Sequence, residues 1–177
     1  MQVQLRKVAC LCTLALLLAL LFALSPLVTR SASAAAPATG KVIVVSLSKQ
    51  WLYAYAQGTL VFNTPVTTGQ PSLPTPAGTY TVFAKYSPTT FSSPWPKGSP
   101  NWYPPVHINY ALAFLGGGYF IHDALWRSKF GPGTNVPHDD PGHGHDTDTH
   151  GCVNLPLSAA SWLYNWTPIG TLVQINS

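Results

Sequence analysis

Residues 41–69, KVIVVSLSKQWLYAYAQGTLVFNTPVTTG, carry the pattern that decides the fold. Val42 to Leu47 is β-branched and apolar, a composition that packs well on a pleated surface. Trp51 to Tyr55 alternates bulky with small side chains, Gln57-Gly58 supplies a turn, and TLVFNTPVTTG follows. That order predicts a hairpin with a third strand close behind. No stretch between 41 and 115 sustains an apolar repeat at the 3.6-residue helical period. Further out, the proline-rich PSLPTPAGTYTVFAKY opens into a strand over 78–86, and VHINYALAF and GYFIHDA give two more, joined by Gly116–Gly118. LSAASWLYNW reads as the one helix, with Ser158 as its N-cap, and TPIGTLVQI returns as a closing strand. The sum is a mostly β, mostly antiparallel domain with one short helix.

Residues 87–105 hold six prolines and two tryptophans. Proline removes ladder donors, so this segment is expected to be a long surface loop rather than a strand. Its aromatics have two readings: packing the loop onto the sheet, or forming one wall of a substrate groove.

The N-terminus places Arg6 and Lys7 before an uncharged, Leu- and Ala-rich run from Val8 to Thr29, followed by small residues around Ala32 and Ala34. Basic, apolar and small-residue regions in that order predict an export signal over 1–34, cut near Ala34. The run is also just long enough for a membrane anchor, although Pro26 would break a helix there. A linker over 35–40 and one domain over 41–177 complete the expected organisation. Beyond Ala34 the chain has six Lys or Arg against five Asp and no Glu, with no basic cluster. A nucleic-acid surface is therefore not expected, and a membrane is expected to matter only through an uncleaved N-terminus.

Cys10 and Cys12 lie inside the signal run, so cleavage leaves Cys152 as a lone thiol without an intramolecular disulfide partner. Its surroundings, DTDTHGCVNLP over 146–156, are too polar for a dry core. The preceding HDDPGHGHDTDTH offers His and Asp to a metal, but its spacing matches neither a zinc motif nor an EF-hand, so no metal is expected. A nucleophile would need a base, because a free thiol is only a few per cent ionised at neutral pH. Two histidines qualify. His150, two residues before Cys152, shares its face in an extended segment, and His122 ends the apolar strand YFIHDA. Gly151 would let backbone N–H groups approach an oxyanion. Spacing alone does not choose between the histidines.

The segment Thr149-His150-Gly151-Cys152-Val153-Asn154 resembles the signature of the L,D-transpeptidases of the YkuD type, which cross-link bacterial peptidoglycan. YFIHDALW resembles the family's strand ending in the base histidine, and VSLSKQWLYAY, PVTTG and PTPAGTY fit its N-terminal part. The resemblance runs from Lys41 to Ile175. It implies an L,D-transpeptidase-like β-sandwich with the helix just after the catalytic loop. It makes Cys152 the nucleophile and His122 its base, and it implies that the two form a thiolate–imidazolium pair. His150, Gly151 and Asn154 would support the loop and the oxyanion; Tyr110 and Trp126 are weaker candidates for lining a substrate pocket. The implied reaction is a thioester-mediated 3→3 cross-link between peptidoglycan stem peptides, outside the cytoplasm, without cofactor, and open to carbapenem inhibition. Water as acceptor would give an L,D-carboxypeptidase, and a non-catalytic wall- or metal-binding module is the rival of another class. The 26 residues between His122 and Thr149 exceed the family's usual spacing, so 131–146 reads as an insertion that could be a lid, a metal-steadied loop or decoration. Asp123, where the family often has Gly or Ser, is expected at the surface.

Overall fold

Strands β1 (Lys41–Ser46), β2 (Trp51–Ala56) and β3 (Thr59–Pro65) form the predicted meander. The computed structural model describes residues 40–142, 144–146 and 149–177; the expected export signal and residues 35–39 lie outside the described residues. With β4 (Gly78–Thr81) and β13 (Leu172–Asn176) the meander makes a five-stranded sheet in the order β3-β2-β1-β13-β4. β13 enters parallel to β1, so the terminal strand closes the sheet beside the first one. A second sheet has four strands, ordered β12-β9-β8-β5, from β5 (Ala84–Tyr86), β8 (Ala111–Leu115), β9 (Tyr119–Asp123) and β12 (Val153–Leu155).

The two sheets and helix α1 (Leu157–Trp166) share one apolar core. Ile43, Val45, Leu52 and Val173 come from the first sheet, Leu112, Ile121, Val153 and Leu155 from the second, and Leu163 from the helix. Each such side chain contributes about 1.5–3 kcal/mol by leaving water. The architecture is the expected mostly β sandwich-like fold, with a single short helix among the described residues, placed after the Cys152 loop.

The predicted strand over 78–86 is two strands. β4 belongs to the first sheet and β5 to the second, and Val82 and Phe83 carry the chain across, bonded to Thr171 and Ala113. VHINYALAF is likewise split: β7 (Val106–Ile108) pairs with β6 (Thr89–Phe91) in a small separate ribbon, and only β8 joins the second sheet. β6 lies inside the stretch expected to be loop; Thr89–Phe91 falls between prolines, where β-branched residues still complete a short ladder. The helix starts differently as well. Its N-cap is Pro156 rather than Ser158, without a side-chain cap, and proline's fixed φ suits that entry.

The insertion forms a short hairpin of β10 (His138–Asp140) and β11 (Gly144–Asp146). Asp140 anchors it: the carboxylate accepts from the backbone N–H groups of Ser128 (2.6 Å) and Lys129 (3.2 Å) and from the Ser128 hydroxyl. Nearer its start, Gly131 N–H donates to Val66 O (2.9 Å), and the Thr134 and Thr67 hydroxyls meet at 2.6 Å. No helix among the described residues is long and apolar enough to cross a membrane.

Candidate active site

The second sheet presents one face to the core and the other to the site. Across it, Tyr86, Ala111, His122 and Asn154 lie in register on β5, β8, β9 and β12. Side chains in register share a face. The sheet thus sets His122 beside Asn154, and Cys152 stands immediately ahead of β12. Phe120, two residues before His122, stands on the same face.

The His122 ring is enclosed by Phe91 (5.2 Å between centroids) and Trp126 (6.0 Å). This burial, with the positive charge of Arg127 nearby, lowers its pKa to about 4, against the opposing pull of Asp123. Nδ1 lies 2.7 Å from the Asp123 carbonyl. A carbonyl only accepts, so Nδ1 carries the proton and Nε2 holds the lone pair of the neutral ring.

The Asp123 side chain leaves on the opposite face, as strand alternation requires, but it is 0 % exposed and not at the surface as expected. It accepts from Asn109 N–H (2.9 Å), Asn109 Nδ2 (2.8 Å) and Tyr110 N–H (2.7 Å). That is the turn where β7 passes to β8, so one carboxylate stabilises the chain reversal next to the histidine. A surface reading fails because β9 is an inner strand of its sheet and Asn109 and Tyr110 close over the carboxylate.

Cys152 is half-buried and is the free cysteine of the described residues. Its thiol donates to the Gly118 carbonyl at 3.4 Å rather than to His122. Burial raises its pKa to about 11, with the Phe120 N–H pulling the other way. Burial thus biases both the Cys152 thiol and the His122 imidazole towards their neutral forms.

His150 points elsewhere. Its ring lies against Trp95 (5.3 Å) and Tyr103 (5.2 Å) and bonds to the Asn101 backbone, and burial lowers its pKa. The proline-rich segment thus does both things expected of it. Phe91 packs it onto Phe120 and His122, while Trp95 and Tyr103 stand against His150 in the Cys152 loop. Burial raises the Tyr103 phenol above its usual range, and negative charge on Cys152 adds to that rise.

Tyr110 packs against Tyr164 of α1 (5.4 Å), away from the rings around His122. Asn154 is 1 % exposed and its backbone pairs with Thr67 in both directions (2.8 and 3.0 Å), which ties the Cys152 loop to the VTTG segment. Gly151 has φ +105, and an added Cβ would lie 2.7 Å from the Tyr119 ring, so only glycine fits. The Thr149 hydroxyl donates to the Cys152 carbonyl (2.7 Å). Among the described residues no three His, Cys, Asp or Glu are placed to hold a metal ion.

Sequence reasoning missed Gly69 and Thr75, which contact Gly151, and Gln50, which holds Thr68. The signal available for the first two was that PVTTG and PTPAGTY fit the family, which assigned them no task.

Comparison with known proteins shows the family of this fold. The model of the YkuD L,D-transpeptidase catalytic domain matches residues 40–175. The probable L,D-transpeptidase 3 of Mycobacterium tuberculosis is 30% identical over 114 residues, 63% of this chain and 37% of that protein. The chain thus spans about a third of that relative's length. Among solved structures, an L,D-transpeptidase of Enterococcus faecium superposes with a TM-score of 0.64 at 27% identity, covering 77% of this chain and 49% of that one. The M. tuberculosis L,D-transpeptidase 3 in complex with a faropenem-derived adduct gives 0.62 at 25% identity, covering 78% and 60%. The chain belongs to the YkuD family of L,D-transpeptidase catalytic domains.

Proposed function

We propose that this chain is an exported cysteine acyltransferase that forms 3→3 cross-links between peptidoglycan stem peptides, with Cys152 as nucleophile and His122 as base. One observation carries the reading. A buried histidine on β9 has its tautomer set by a backbone carbonyl, and the cysteine stands directly ahead of the strand that pairs with β9. Residues 1–34 would deliver the domain outside the cytoplasm, where the substrate lies.

The chemistry follows from the resting state. The proposed attack requires the Cys152 thiol to leave Gly118 O and reach His122 Nε2. Proton transfer then accompanies attack on the carbonyl of the third stem residue, because neither group ionises on its own near neutral pH. The tetrahedral oxyanion meets backbone N–H groups of the Gly151–Cys152 turn. Collapse breaks the peptide bond, the imidazolium returns its proton to the leaving D-alanine amine, and a thioester remains. The amine of a second stem attacks it, His122 takes that amine's proton, and the thiol is released as the new amide forms. Trp95, Tyr103 and Trp126 give the cleft apolar walls that limit water, which favours an amine over hydrolysis.

Intact mass of the purified protein after exposure to a carbapenem tests the assignment. A stoichiometric adduct is expected on wild type, none on Cys152→Ala, and slow formation on His122→Ala. An undiminished rate in His122→Ala would move the base to His150. Incubation with a tetrapeptide stem, with and without an acceptor stem, separates cross-linking from simple loss of D-alanine.

A further inference from the structure

Gly151 takes a backbone conformation closed to other residues, and glycine is also the residue least able to hold one conformation by itself. Yet the peptide between Gly151 and Cys152 carries an N–H that must be fixed before an oxyanion can form against it. Thr75 supplies that constraint. Its hydroxyl, on a residue 2 % exposed, accepts from Gly69 N–H at 2.9 Å and donates to the Gly151 carbonyl at 2.9 Å. A hydroxyl that already accepts one hydrogen bond donates the next more strongly.

The approach is close because both partners lack side chains. A Cβ on Gly69 would sit 2.8 Å from Gly151 Cα, and 2.3 Å from Leu73 O. Gly69 is held in turn by its neighbour. Gln50 accepts from Thr68 N–H (2.8 Å) and donates from Nε2 to Thr68 Oγ1 and to Leu47 O (2.7 Å each). A chain of buried bonds therefore runs from the β1–β2 turn to the carbonyl next to the nucleophile.

In a planar trans peptide the N–H points opposite to the carbonyl. Drawing the Gly151 carbonyl towards Thr75 therefore aims the Cys152 N–H away from the Gly69–Thr75 segment. We infer that Thr75 is a positioning residue: by holding the Gly151 carbonyl it fixes the Cys152 N–H as an oxyanion donor. The inference rests on the proposed acyl transfer and deepens it.

Two reactions of the same sulfur separate this role from mere upkeep of the loop. Acylation by imipenem passes through an oxyanion; alkylation by iodoacetamide displaces iodide at carbon and does not. Both rates are read by intact mass on the full chain for wild type, Thr75→Val and Thr75→Ser. Thr75→Val removes the hydroxyl at nearly constant volume. It is expected to slow acylation about 10- to 100-fold, in line with loss of an oxyanion donor, and to change alkylation less than about twofold. Thr75→Ser restores the hydroxyl and should acylate within a few-fold of wild type. Equal losses in both reactions, or no loss in acylation, would overturn the inference. So would a Thr75→Ser protein that alkylates normally but acylates about 10- to 100-fold more slowly than wild type, a comparison that holds even if Thr75→Val folds poorly. A wild type that iodoacetamide labels and imipenem does not would overturn the acyl-transfer reading itself, and this inference with it.

Discussion

The pH dependence of Cys152 alkylation follows directly from its burial. With the thiol pushed up to about 11, the thiolate fraction at pH 7.5 is on the order of 3 in 10,000. A free cysteine near 8.5 would be roughly 9% ionised at the same pH, about 300 times more. Part of that deficit returns because a more basic thiolate is intrinsically more reactive. A slope of about 0.4–0.5 per pKa unit restores roughly a factor of ten. Iodoacetamide should therefore modify Cys152 about 20- to 30-fold more slowly than free cysteine at pH 7.5, after correction for access. The rate should climb close to tenfold per pH unit up to about pH 10, without levelling between 7 and 9. His122→Ala should leave the curve in that range unchanged, because His122 is neutral there and makes no resting ion pair. Stopped-time alkylation read by mass spectrometry at fixed ionic strength gives the profile. A plateau below pH 8 that vanishes in His122→Ala would mean a preformed thiolate–imidazolium pair and refute the reasoning.

Three other outcomes are expected. His122 has a folded pKa of about 4 against about 6.5 unfolded, so the unfolded state binds the extra proton between those values. Stability is thus full above pH 6.5 and falls as pH drops towards 4, by about 3 kcal/mol from this group; urea midpoints across that window should fall less steeply in His122→Phe. Asp123→Ala strands three N–H donors at the 109–110 turn and should lower stability by about 3–5 kcal/mol, seen in urea unfolding, while Asp123→Asn loses less. Gly151→Ala combines a φ of +105 with a 2.7 Å approach to Tyr119, for about 2–3 kcal/mol of strain and more than tenfold slower carbapenem adduct formation. Tyr119→Ala in the same protein should relieve the clash but not the backbone strain, so that rescue is partial.

The parts of the fold readable from sequence are those set by neighbours along the chain. The β1–β3 meander announces itself through alternation and a turn dipeptide, and the Thr149–Asn154 segment through a run of six particular residues. The errors arise where distant segments decide. Nothing local marks Val82 and Phe83 as the point where the chain leaves one sheet for the other; the edges offered by Thr171 and Ala113 determine it. Asp123 reads as an exposed carboxylate until the 109–110 turn returns to consume its oxygens. Thr75 lies 76 residues from the carbonyl it holds, and its neighbours PTPAG suggest only a loop. Ser158 looked like the cap because serine favours that position, but Pro156 had already set the entry φ two residues earlier. At the site, residue types nominated Cys152 and His122. The burial of the His122 ring by Phe91 and Trp126, which lowers its pKa, is visible only in the folded chain.

The raised pKa of the thiol has a consequence for its resistance to oxidation. Peroxide attacks thiolates, and oxidation then proceeds from sulfenic to sulfinic acid, which for most cysteines is irreversible. Among the described residues Cys152 has no second cysteine beside it to resolve a sulfenic acid. By favouring the protonated form of Cys152, burial withholds the form of sulfur that oxidants consume. The same burial that slows an idle nucleophile thus preserves it, and the oxidative lifetime of the protein is set by how rarely that sulfur ionises between turnovers.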